Sequence, residues 1–72
     1  MQTLSFTLRG DTVELNQLLK LVGIVDSGGA GKALVQSGAV SVDGQPESRK
    51  TCKIRAGQTV TLGDIRIDVQ AE

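Results

Sequence analysis

Residues 27–44 read SGGAGKALVQSGAVSVDG, and no other stretch leaves the chain so few ways to fold. Ser27 can cap a helix, Gly38 can stop it, and Val40 and Val42 alternate about Ser41 as a short strand. Asp43-Gly44 then makes a tight turn, because both central positions of a type I′ hairpin need positive φ. Helix and strand are joined so closely that their relative orientation is nearly fixed. Lys32 falls one turn inside the helix. Just past the turn come Arg49, Lys50, Lys53 and Arg55, with no acidic residue among them. A stiff helix-to-hairpin unit with a basic rim is a shape suited to a phosphate backbone.

Upstream, Leu4, Phe6 and Leu8 alternate with Thr3, Ser5 and Thr7, the period of two of a half-buried strand. Arg9-Gly10 ends it. Asp11, with Glu14 three residues on, reads as a helix N-cap in a capping box. Leu15, Leu18, Leu19 and Val22 share one helical face, and Gly23 closes the helix. Lys20 lies off that face in the last turn, where a cation suits the helix dipole; it is also a candidate contact for an anionic ligand. Asp26 or Ser27 caps the second helix. Its buried face is expected from Ala30, Ala33 and Leu34, with Val35 beside it. Gly28, Gly29 and Gly31 each cost about 1 kcal/mol against alanine in a helix interior, so this helix needs tertiary support. The same glycines allow another backbone to come close.

Beyond the turn, Pro46 belongs in a loop or on a sheet edge. Residues 52–54, 59–62 and 65–69 read as strands, separated by turns at Ala56-Gly57 and Gly63-Asp64. The order is strand, helix, helix, then four short strands. That is an α+β fold in a single domain, 1–72, with two short helices packed on a small, mostly antiparallel sheet of about five strands.

A chain of 72 residues holds one domain. Phe6 is its only aromatic residue, so the core must be aliphatic and stacking platforms for single-stranded bases are missing. Eight basic residues balance eight acidic ones, so net charge gives no pointer to nucleic acid, whereas the clustering at Arg49–Arg55 does. There is no histidine and Cys52 is the lone cysteine. An internal disulfide, a His/Cys metal site and a Ser/His/Asp or Cys/His catalytic arrangement are thereby excluded. The GGAGK of residues 28–32 departs from a nucleotide-binding P-loop, since Asp26 stands where the first glycine belongs and Ala33 replaces the hydroxyl. No cofactor, metal, small-molecule substrate or catalysis is expected. With no signal-peptide pattern and no apolar run long enough to span a bilayer, a cytoplasmic monomer without membrane contact is expected.

Together, Leu15-x-x-Leu18-Leu19-Lys20-x-x-Gly23, Ser27, Lys32-Ala33-Leu34-Val35-x-x-Gly38-x-Val40-x-Val42-Asp43-Gly44 and Gly57-x-x-Val60 resemble the S-four-like, or alpha-L, RNA-binding domain. That module occurs in a ribosomal small-subunit protein, pseudouridine synthases and tyrosyl-tRNA synthetases. The likeness is greatest to the stand-alone bacterial, YbcJ-like type, through Ser27-Gly28-Gly29, Val42-Asp43-Gly44 and Glu47-x-Arg49-Lys50-x-Cys52-Lys53-Ile54. It extends from Leu4 to Val69. The resemblance implies a non-catalytic protein that recognises structured RNA, ribosomal RNA or tRNA, through phosphate and shape contacts. Ser27, Gly28, Lys32, Arg49, Lys50, Lys53 and Arg55 would face the RNA, with Lys20 as a further candidate. Gly28 stands where many members carry a basic residue, Gly31 where alanine is usual, and Asp43 where asparagine is more frequent. The alternative is a protein-interaction module on the same fold that adds a partner strand to an exposed sheet edge.

Overall fold

The two strands with the clearest period of two lie side by side. In a computed structural model that describes residues 2–72, β1 (Gln2–Leu8) runs parallel to β7 (Ile65–Ala71), from Gln2 opposite Ile65 to Leu8 opposite Ala71. The remaining pairings of this sheet are antiparallel. Gly63-Asp64 folds β6 (Thr59–Leu62) back onto β7; β3 (Val40–Val42) pairs with β6; and β4 (Gln45–Pro46) pairs with β3. The five strands are ordered β1-β7-β6-β3-β4, which puts Pro46 on an edge strand, where its missing N–H does no harm. Asp43 and Gly44 both have positive φ, as the β3–β4 turn requires. Asp43 does more than turn the chain: its carboxylate accepts from Thr59 N at 2.9 Å and from Gln58 Nε2 at 3.1 Å, pinning the turn to the start of β6.

Two helices cover one face of this sheet, α1 (Leu15–Leu21) and α2 (Gly28–Gln36). Leu15, Leu18 and Leu19 of α1 and Val35 of α2 join Leu8, Val40, Val42, Ile54, Val60, Ile67 and Val69 in one aliphatic core. Gly23 ends α1 as expected. Its N–H reaches Lys20 O, and Ile24 N reaches Leu19 O, the paired bonds of a Schellman motif. Ser27 caps α2 by accepting from Ala30 N at 3.1 Å.

Three expectations are corrected. Asp11 does not cap α1: the helix begins at Leu15, and Glu14 holds the cap position with extended backbone and no side-chain cap bond. Val13–Glu14 instead form a short strand, β2, paired antiparallel with β5 (Lys53–Ile54), so β5 stands apart from the five-stranded sheet. The first helical N–H groups find backbone carbonyls elsewhere, which makes a side-chain cap unnecessary. Third, Ala30 and Ala33 are exposed, and the buried residues of α2 are Gly31 and Val35.

Gly31 is buried because α1 crosses α2 there. A Cβ at Gly31 would lie 2.6 Å from the carbonyl oxygen of Asn16, nearer than non-bonded atoms approach. Gly31→Ala is expected to destabilise the fold by about 1–2 kcal/mol, even after the helix-propensity gain of about 1 kcal/mol. Each kcal/mol lowers Tm by about 4–8 °C in a domain of this size. Thermal unfolding checks this; an unchanged or higher Tm would mean the two helices part freely.

Candidate nucleic-acid interface

The first turn of α1 draws the basic loop and α2 together. Leu15 N donates to Cys52 O at 2.9 Å and Asn16 N to Lys50 O at 3.1 Å. The carbonyls of the loop between β4 and β5 thus satisfy N–H groups that a capping side chain would otherwise meet. On its other side, Asn16 presents its own carbonyl to Gly31. Lys50 and the Gly31-Lys32 step therefore flank one residue of α1, though they are far apart in sequence. Both lysines are exposed.

Ser27 and Gly28 open α2 at the same corner. A Cβ on Gly28 would stand 3.3 Å from Gln17 Nε2 and 4.0 Å from Asn16 Nδ2. The side-chain amide beside this helix start comes from Gln17 of α1. Asn16 is the buried polar side chain of the core, and its Oδ1 has no hydrogen-bond partner among the described residues. Nothing in the sequence announces Asn16 or Gln17: a polar pair next to Leu15 reads as the solvent face of an amphipathic helix.

The basic run is less free than its sequence suggests. Glu47 folds onto Arg49: Oε2 accepts Arg49 N and Arg49 Nε, each at 3.0 Å, and Oε1 accepts Nη2 at 3.0 Å. Glu14 reaches Lys53 Nζ at 3.3 Å from across the β2–β5 pair. Among the described residues, Lys20, Lys32, Lys50 and Arg55 carry no ion pair. Lys20 stands one turn along α1 from Asn16, about 6 Å along the axis at 1.5 Å per residue. Arg55 lies beyond β5, its N–H held by Gln58 Oε1 at 2.7 Å, on the side of the β3–β4 turn. Of the candidate residues, Lys50 and the start of α2 meet through the backbone of Asn16, and Arg49 and Lys53 are engaged by Glu47 and Glu14.

The loop itself is held at several points. Glu47 N donates to Val40 O at 2.9 Å, and Cys52 N to Arg49 O at 3.1 Å. Desolvation pushes the Cys52 thiol above its ordinary pKa, which keeps it protonated and poorly nucleophilic. Among the described residues, no cluster of histidine, cysteine and carboxylate side chains is arranged to hold a metal ion.

Hydrogen bonds from the Arg49 side chain, and then from its backbone N–H, bring the Glu47 carboxyl down from 4.5 to about 2. A depressed carboxylate pKa gives an interaction fully present above about 4.5 and lost as pH falls toward 2. The Arg49 Nε–H signal, followed by NMR, is expected to lose its protection across that window. In Glu47→Gln no such transition should remain.

This geometry can be set beside known proteins. A family model described as S4 domain matches residues 6–70. The chain is 49% identical over 59 residues to "Putative RNA-binding protein YbcJ" of Escherichia coli (strain K12), covering 82% of this chain and 84% of that protein. "Uncharacterized protein YbcJ" of Shigella flexneri gives the same figures. The solution structure of YbcJ from Escherichia coli, reported to reveal an alpha-L motif involved in RNA-binding, aligns with a TM-score of 0.67 at 44% identity, over 99% of this chain and 89% of that one. With its helix pair, hairpin and sheet matched nearly end to end, the chain belongs to the S4 domain family.

Proposed function

We propose that the protein binds structured RNA, ribosomal RNA or tRNA, without catalysing a reaction on it. One observation carries this reading: the backbone of Asn16 holds the first turn of α2 and the Lys50 loop against each other, which supports a shared basic face for Lys32, Lys50 and Arg49. The YbcJ relatives, one of them named for RNA binding, support it. Recognition rests on phosphate positions and shape, since the chain has a single aromatic residue and that residue is in β1. The absence of histidine and the protonated Cys52 thiol support a binding role over a chemical one.

A second reading has its own observation. β1 leaves one edge of the sheet unpaired, and a groove of about 310 Å³ opens beside it between Phe6, Leu8, Val13 and the exposed Leu21. Such an edge can accept a partner strand. Pull-down with and without ribonuclease separates the two readings: partners that survive the nuclease favour the protein module.

For RNA, about three phosphate contacts from Lys32, Lys50 and Arg49 give a log–log salt slope of about −2 to −2.7, so doubling the salt weakens binding about four- to sevenfold. Lys32→Ala with Lys50→Ala is expected to make the slope shallower by about 1.4–1.8 and to weaken all RNAs alike. Binding of tRNA titrated against KCl measures both. A flat salt profile, or an unaltered double variant, would remove this site.

A further inference from the structure

We propose that Glu47, an acid inside a face meant for an anion, is a positioning residue that prepares Arg49 to grip a single phosphate. The proposal rests on the RNA-binding reading above and deepens it. The Glu47 carboxylate occupies one edge of the guanidinium, taking Nε and Nη2 at 3.0 Å each. An arginine has five N–H donors in a planar fork. Nη2 also meets Cys52 Sγ at 3.9 Å, whereas Nη1 makes no hydrogen bond among the described residues, and the Arg49 side chain is 76% exposed against 17% for Glu47. Nη1 is therefore the unengaged donor of the fork while the Nε–Nη2 edge is clamped.

The clamp is itself anchored. Glu47 N is bonded to Val40 O of β3, Arg49 N to the same carboxylate, and Arg49 O to Cys52 N, whose carbonyl holds the start of α1. Arg49 is thus fixed from the sheet and from the helix before any ligand arrives. Ordering a long side chain in advance removes part of the cost of binding, and a charged guanidinium N–H makes a short, strong hydrogen bond to phosphate. Glu14 differs. It meets Lys53 by one contact of 3.3 Å, its side chain is 37% exposed against 17% for Glu47, and an ammonium has no edge to orient. Glu14 is a competitor for the phosphate; Glu47 is a support.

Counting charge alone, removal of either acid should tighten RNA binding. The geometry gives opposite signs. With tRNA as probe at fixed salt, Glu47→Gln is expected to weaken binding about two- to tenfold, the cost of re-ordering one long side chain. Glu14→Gln is expected to tighten it by up to about fivefold. In an Arg49→Ala background, Glu47→Gln should no longer weaken binding. Glu47→Asp keeps the charge but withdraws the carboxylate, and is expected to weaken binding like Glu47→Gln, which covers the case of a poorly folded glutamine variant. Tighter binding by both Glu47 variants would overturn the proposal. So would equal weakening with and without Arg49, which would make Glu47 a mere fastener of the loop. If wild type ignores tRNA, the RNA reading falls, and pyrophosphate then decides this one. A shift of the wild-type Arg49 Nε–H signal on adding pyrophosphate, lost in Glu47→Gln, sustains it; no shift overturns it.

Discussion

The backbone of Asn16 is engaged on two sides, its N–H by the carbonyl of Lys50 and its carbonyl by the bare Cα of Gly31. A helix as short as α1, seven residues, is unstable by itself, because nucleation is unfavourable and few bonds follow it. Here the loop supplies the acceptors that the first turn lacks, so the start of the helix and the shape of the loop are one structure. Glycine at 31 is what lets α2 approach closely enough to complete it. A larger residue would move α2, and with it the opening turn at Ser27 and Gly28.

Electrostatics follow from that packing more than from composition. The chain is neutral overall, yet its charges are sorted. Among the described residues Lys32 and Lys50 carry no ion pair, while Arg49 and Lys53 are shared with Glu47 and Glu14. Exposed ion pairs contribute little to stability. Their effect here is to decide which cations are geometrically fixed and which can be recruited, a distinction invisible in a sum of charges.

Much of the fold was legible because its signals are local. The alternation in β1 and β7, the positive-φ requirement at Asp43-Gly44 and the stop at Gly23 all depend on neighbours a few residues away, and each proved correct. The failures share the opposite property. Asp11 and Glu14 have the spacing of a capping box, but the carbonyls of Lys50 and Cys52, distant in sequence, took that role and freed Glu14 for the β2–β5 pair. Ala30 and Ala33 looked like the buried face of α2, yet the helix crossing selected the residue with no side chain at all. Lys32 and Lys50 could be named as candidates from the sequence. The pairing of Glu47 with Arg49 could not, since both lie in the loop between β4 and β5, where no regular period fixes which way side chains point.

The parallel pairing of β1 with β7 has a further consequence, for the order in which the molecule forms. Gln2 must find Ile65, so nearly the whole chain closes into a loop before those bonds are made. The β6–β7 hairpin, by contrast, closes over two residues. Loop-closure entropy favours the hairpin, and contacts so distant in sequence slow the final step. Loop closure therefore favours docking of β1 after the β6–β7 hairpin, and in that order the flank of β7 stands open to any other strand that reaches it first.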